Sequence, residues 1–312
     1  MKSMIIGGAG FVGKYLIRQL VEKDGHEVVV TKMPYETLEM QGVKTCDLDI
    51  LEESSVERLF EKEHPDYIFH MAAQSSVAVS WRNPQLTVDV NVKGVVNVLE
   101  ALRKLKYKPR VLLVGSGEEY GHVLQEEMPI DERCAARPGN IYAATKTCQN
   151  MLGKIYADAY GLQVMMVRAF NHIGPNQAPL FVVADFCKQI AEIEAKKREA
   201  VIRVGNLGAK RDFTDVRDVV RAYAMLISKG VAGETYNIGS GCAVAVEDIL
   251  GMILENSKVD IQVKVDKEKF RPVDVPIIEA NIEKIVQLTG WKPQIPLAQT
   301  IKETLEYWRN QI

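Results

Sequence analysis

Tyr142 and Lys146 stand four residues apart in the segment YAATK. On a helix that spacing puts both side chains on one face, where a phenol and an ammonium form a proton-transfer pair. A free phenol holds its proton up to a pH of about 10. A neighbouring ammonium, or a cationic ring bound beside it, stabilises the phenolate and is expected to lower that value. Taken alone, the pair also suits two surface neighbours on an amphipathic helix. Ser116 shifts the balance. It closes the apolar run VLLVGS one strand-helix unit earlier, at the edge where open parallel sheets bind ligands, so its hydroxyl can meet the same substrate oxygen as Tyr142. Glu118 is expected to touch a substrate hydroxyl, and Glu119 to be a solvated loop acid.

A third group sits at the start of the chain. GGAGFVG, residues 7 to 13, follows the run MII and opens a helical pattern. Gly7, Gly10 and Gly13 in this context make a tight turn, a close backbone approach to a pyrophosphate and close helix packing, with helix N–H groups facing the anion. After the next apolar run stand Thr31 and Lys32, where an NAD-selective site usually carries an acid. Lys32 is either a partner for a 2′-phosphate, which favours NADPH while leaving NADH possible, or a solvated lysine. Asp47 and Leu48 are placed to meet the adenine, and Met71, Ala72 and Ala73 to lie under the nicotinamide ribose.

The elements that hold these groups are legible as an alternation. Valine- and isoleucine-rich runs (EVVVTK, DYIFHMAA, RVLLVGS, GLQVMMVRAF) alternate with longer helical patterns through Phe170. This predicts an α/β fold, a Rossmann-like doubly wound parallel sheet, with residues 1–170 as the dinucleotide-binding domain. The rhythm breaks at NHIGPNQAP. Residues 171–312 are expected to form a smaller C-terminal α/β substrate-binding part, with some segments returning to the sheet.

Composition narrows the function class. The 312 residues carry 39 Lys and Arg against 41 Asp and Glu without a long basic run, which argues against a nucleic-acid partner. Five cysteines without a CxxC pair read as reduced thiols, and five histidines without ligand spacing imply no metal. The glycine motif begins at residue 7, leaving no room for a signal peptide, and no apolar run reaches membrane-spanning length. A cytoplasmic protein without a membrane partner is expected.

Glycine turn, strand-end serine and YxxxK, in this order and across essentially the whole chain, resemble the extended short-chain dehydrogenase/reductase family. The resemblance implies an NAD(P)H-dependent enzyme in which Ser116 orients a substrate oxygen, Tyr142 is the acid/base and Lys146 anchors the nicotinamide ribose. It adds Phe11, Val12, Ala169 and His172 to the cofactor contacts, and Ser75, Gly117 and Val182 to the substrate contacts. RAFNHIGP (168–175), RVGN (203–206), RDFTDVRD (211–218) and RPVDVP (271–276) are similar to the diphosphate-sugar signatures of members that reduce a GDP-linked 4-keto-6-deoxyhexose, giving GDP-D-rhamnose. Arg211 and Arg271 are planar cationic forks for a diphosphate, joined by the Asn171 amide. Arg203 and Gly205 are expected along the base, and Asp274 on the ribose or guanine. Each arginine equally suits a surface ion pair, and RDFTDVRD a helix start with capping aspartates.

Relatives that eliminate water carry Thr-Asp-Glu or Thr-Ser-Glu where this chain has Ser116-Gly117-Glu118. Gly117 offers no proton, although Glu118 remains as a base. A nucleotide-sugar dehydratase or epimerase is the alternative enzyme, and a noncatalytic dinucleotide sensor the third reading. Helices over 83–105 and 142–160 correspond to those that pair across a homodimer interface in relatives.

Overall fold

The computed structural model describes residues 1–269 and 275–312. The first half forms β1 (Lys2–Ile6), α1 (Phe11–Arg18), β2 (Glu27–Lys32), β3 (Val43–Asp47), α2 (Glu53–Glu63), β4 (Tyr67–His70), α3 (Val77–Arg82), α4 (Pro84–Val88), α5 (Gly94–Lys104), β5 (Arg110–Ser116), α6 (Ile141–Tyr160) and β6 (Gln163–Ala169). The second half adds β7 (Asn171–Ile173), α7 (Val182–Glu194), β8 (Val201–Val204), β9 (Lys210–Asp215), α8 (Val216–Lys229), β10 (Thr235–Ile238), β11 (Ala243–Ala245), α9 (Val246–Glu255), β12 (Gln262–Val265), β13 (Ile277–Ile278), α10 (Glu283–Thr289) and α11 (Leu297–Gln311).

Seven strands form one sheet in the order β3-β2-β1-β4-β5-β6-β10, and every neighbouring pair is parallel. The order reverses between β1 and β4, which opens a crevice at the carboxyl edge. Both faces are covered. Ile5, Val30, Leu112 and Val167 pack beneath α1 and α8, together with the buried Trp291; Met4, Val29, Leu113 and Met166 pack beneath α2 and α5. Burial on both faces is why these strands read as unbroken apolar runs. β10 and α8 come from the second half, so that half completes the first half's sheet and core.

The remaining second-half elements build their own core from α7, α9, α11, β8 and β9. β9 pairs with β7, β11 and β13, so RDFTDVRD is a strand running into a helix, and Asp215 caps α8 by accepting the Arg217 N–H at 2.7 Å. The helix expected over 83–105 is interrupted by a wider π-helical turn, Asp89–Lys93, which turns Asn91 into the interior. Among the described residues no helix is long and apolar enough to cross a membrane, and no cluster of three or more His, Cys, Asp or Glu side chains could hold a metal.

Candidate active site

The glycines of the β1–α1 turn divide by what surrounds them. Gly7 has φ +79°, and a Cβ there would lie 2.6 Å from the Ala72 Cα; a Cβ on Gly13 would lie 2.2 Å from the Gly8 carbonyl oxygen. Both are required by packing. Gly10 is different: a Cβ there would meet nothing within 4 Å, and it caps α1 with no side-chain hydrogen bond. The N-terminus of α1 is therefore open at Gly10 and without a side-chain cap, and its first N–H groups are donors of the kind that hold a pyrophosphate.

Two aromatic contacts bolt the loop after β6 to this end of α1. Phe11 stacks on His172, with centroids 6.3 Å apart and planes inclined by 10°. Tyr15 lies edge-on to Phe11 and donates its hydroxyl to the Pro175 carbonyl at 2.9 Å. Gln177 donates to the His172 carbonyl at 2.9 Å, and the His172 Nδ1–H donates to the Phe170 carbonyl at 3.1 Å. Burial holds His172 below the usual imidazole range, so it is a neutral contact residue. At the other end of the crevice the Lys32 ammonium is bound to the Asp47 carboxylate at 2.6 Å. The two residues expected to meet separate parts of a cofactor thus meet each other. Leu48 is buried behind them, Thr31 accepts the Gly7 N–H at 3.1 Å, and Val12 is half-buried. Met71, Ala72 and Ala73 follow β4 at the same edge, Met71 donating its N–H to the Ile6 carbonyl at 3.0 Å.

Ser116, Tyr142 and Lys146 come together at the end of β5, each at most 9% exposed. The Ser116 hydroxyl lies near the phenol and accepts the Glu118 N–H at 3.2 Å. Asn140 connects the turn after β5 to Tyr142: its side chain donates to Glu118 at 3.1 Å and caps α6 by accepting the Ala143 N–H at 2.8 Å. The Lys146 ammonium donates to the Val114 carbonyl at 2.8 Å and to Gln149 Oε1 at 3.0 Å. The pull expected of the ammonium on the phenol is outweighed here by burial. Burial raises the phenol well above its ordinary value, with the charges of Glu118 and Glu119 adding to the effect and Ser116 opposing it. Burial also brings Lys146 down to about 8. The ammonium, directed at Val114 and Gln149, does not offset the loss of solvent around the phenol.

Glu119 is a correction to the expectation of a solvated loop acid. It is fully buried. Oε1 accepts the Ser116 N–H at 2.9 Å and Oε2 accepts from Arg168 Nε at 2.9 Å. The Arg168 guanidinium also lies 4.5 Å from the centre of the Tyr120 ring, whose hydroxyl donates to Asn237 at 2.7 Å. Gly115 makes room: a Cβ there would stand 2.3 Å from Glu119 Oε1. Gly117 has a packing role as well, since its Cβ would lie 3.2 Å from the Phe170 ring. The signal for Glu119 was present in VMMVRA, because one arginine inside an otherwise apolar buried strand requires an anion. Asn91 was likewise missed. It accepts the Gln74 N–H at 2.8 Å and donates to Thr145 at 3.0 Å, gripping α6 from behind, and no local pattern marks it. His70, buried at the end of β4 with both ring nitrogens unpartnered among the described residues, is pushed down to about 3 by burial and by the nearby Lys146 charge.

The expected substrate residues fall into two groups. Asn171 is exposed on β7, beside β9. Arg211, half-buried on β9, donates to the Lys210 and Val275 carbonyls at 2.8 and 2.7 Å. Its neighbour Asp212 accepts the N–H groups of Ser240, Gly241 and Ala280 at 2.6, 2.9 and 3.2 Å, which ties β9 to the loops around it. The second group lies where β8 ends and α7 begins. Gln189 brackets the backbone of Arg203 with two hydrogen bonds of 3.1 Å, Gly205 passes close to the Lys269 carbonyl, and Val182 is exposed behind Leu180 and Phe181. Ser75 is exposed on the loop after β4. Arg271 and Asp274 lie outside the described residues.

Comparison with known proteins is consistent from end to end. The family model for GDP-mannose 4,6 dehydratase matches residues 4–304. The GDP-6-deoxy-D-mannose reductase of Pseudomonas aeruginosa is 30% identical over 99% of this chain and 97% of its own length. Among solved structures, RMD from Pseudomonas aeruginosa complexed with NADPH superposes with a TM-score of 0.89 at 30% identity, covering 100% of both chains. The UDP-glucose 4-epimerase of Thermus thermophilus, in complex with NAD, reaches a TM-score of 0.89 at 28% identity, again over 100% of both chains.

Proposed function

The chain belongs to the GDP-mannose 4,6 dehydratase family, and within it we propose a reductase that converts the C4 keto group of GDP-4-keto-6-deoxy-D-mannose to the alcohol, giving GDP-D-rhamnose. The observation that carries this reading is the meeting of Ser116, Tyr142 and Lys146 beside the open N-terminus of α1 at Gly10, with glycine at position 117. Elimination of water needs an acid for the leaving hydroxyl in addition to a base. The space over Gly117 holds the Phe170 ring, and Glu118 is engaged by Asn140. A buried phenol that keeps its proton also suits a group whose task is to donate it. The likeness to the Pseudomonas reductase supports the substrate class.

Gly7, Gly10, Gly13 and Phe11 would hold a reduced nicotinamide dinucleotide, which would supply the hydride for the keto carbon. Tyr142 gives its phenolic proton to the C4 oxygen as negative charge develops there, and Ser116 donates a hydrogen bond to the same oxygen. Lys146, with two donors on Val114 and Gln149, has its third for a ribose hydroxyl. Asn171, Arg211 and Arg271 take the diphosphate, while Val182, Arg203, Gly205 and Asp274 take the nucleoside. NADPH is favoured over NADH through Lys32, which must exchange Asp47 for a 2′-phosphate.

The test is direct. Enzyme, NADPH and the 4-keto sugar are mixed and the loss of NADPH absorbance is followed; no consumption rejects the reading. A dehydratase would convert GDP-mannose with no net use of added cofactor. Tyr142→Phe should lower turnover by about 10³-fold or more while cofactor affinity is retained. The chain is also proposed to act as a homodimer. α4 packs on α6, and Leu86, Val88, Met151 and Ile155 on these helices are exposed; light scattering would read one monomer mass if the proposal is wrong.

A further inference from the structure

Behind Ser116 lies a buried carboxylate that the reaction just described does not use. Glu119 stands between two groups. Its Oε1 edge faces the Ser116 N–H, and its Oε2 edge faces Arg168 on β6. The carboxylate is thus held between the end of β5 and the guanidinium. Arg168 continues through Tyr120 to Asn237, which receives the Tyr120 hydroxyl, takes Glu132 on its own N–H at 2.7 Å and donates to the Ile130 carbonyl at 2.9 Å. The carboxylate cannot swing away without leaving an orphaned amide and an unpaired guanidinium in the interior.

We propose that Glu119 is a positioning residue: held between the Ser116 N–H and Arg168, it fixes Ser116 from behind and keeps a buried negative charge at the end of β5 that bears on the alkaline limit of the reaction. The other charged or titratable groups facing Tyr142 and Lys146 are Glu118 on the same turn, His70 at the end of β4, Tyr223 on α8, and Arg168 itself. Glu118 acts in the same direction on Tyr142. His70 is held neutral by burial, as burial holds Tyr223 in its phenol form. Among the described residues that leaves Glu119 as the acid acting on both members of the pair, raising each.

The inference rests on the reductase reading, and the experiment separates the two. Glu119→Gln keeps an acceptor for the Ser116 N–H and removes the charge. Its rate with NADPH and the keto sugar should stay within about tenfold of wild type near pH 6.5, and the alkaline limb of kcat/KM should move about one pH unit toward acid, the order expected of one nearby charge. A uniform loss at every pH with the limb unmoved would show a merely structural residue and overturn the proposal. If Glu119→Gln alone does not fold, Glu119→Gln with Arg168→Gln leaves no buried charge unpaired and should show a displacement in the same direction but smaller, because the opposing Arg168 charge is removed as well; no displacement overturns the proposal. If wild type consumes no NADPH, the reductase reading fails on its own. The Glu119 proposal is then read from the tyrosinate absorbance that disappears with Tyr142→Phe, which must titrate at lower pH in the Glu119→Gln background; an unchanged midpoint overturns it.

Discussion

Two ion pairs occupy the carboxyl edge of the central sheet, and they behave as opposites. Lys32–Asp47 closes the ends of β2 and β3 with the aspartate side chain 58% exposed; Glu119–Arg168 joins the end of β5 to β6 with the glutamate side chain 0% exposed. The first pair can trade partners with an incoming ligand because water covers half of the exchange. The second cannot, since removing either member leaves a charge in the interior. The cofactor end is accordingly built from backbone and replaceable surface, while the catalytic end is built from buried groups that hold one another.

The largest break in this contrast is expected at Arg168. Arg168→Met strands Glu119 and should cost about 3–5 kcal/mol of stability, measured by urea unfolding at pH 8. Burial already raises Glu119 above the usual carboxylate range. The variant's deficit should therefore shrink as pH falls toward the unfolded carboxylate value, where the stranded group is protonated in both states. Adding Glu119→Leu should restore most of the loss. A deficit independent of pH would mean that Arg168 contributes through packing alone.

A smaller effect of the same origin belongs to Lys146. Its folded value of about 8 lies below the ordinary lysine range, so between the two the unfolded chain binds more protons and stability rises with pH. Cofactor-free wild type should gain about 2 kcal/mol relative to Lys146→Met from pH 8 to pH 10; parallel stability curves would contradict this. At Lys32 the contrast is weakest. Lys32→Ala should change stability by no more than about 1 kcal/mol, yet raise the KM for NADPH about tenfold with little change for NADH, as expected of one charge-assisted contact. A large stability loss there would erase the distinction between the two pairs.

Much of the scaffold is legible in the sequence. The strand-helix alternation marks the parallel sheet because strands buried on both faces must be apolar throughout. Tyr142 and Lys146 share a helix face because helical geometry is local. Glu119 was misread because EEY in a glycine-rich turn looks like a surface loop, and only Arg168, forty-nine residues on, makes its burial tolerable. That Lys32, open between a 2′-phosphate and solvent, pairs with Asp47, expected at the adenine, was not legible for a similar reason: the partner, fifteen residues away, is set by strand order. The weight of burial on Tyr142 was not legible because it depends on how closely β5, α6 and the turn between them exclude water.

The sequence by itself determined the groups available to react and the backbone turns that present them, since glycine spacing, strand-end position and i,i+4 geometry follow from a few neighbouring residues. Only the tertiary structure decided which of those groups keep their protons and which charges must stay paired. Solvent exclusion and the reach of a buried charge are set by elements distant in the chain and adjacent in space.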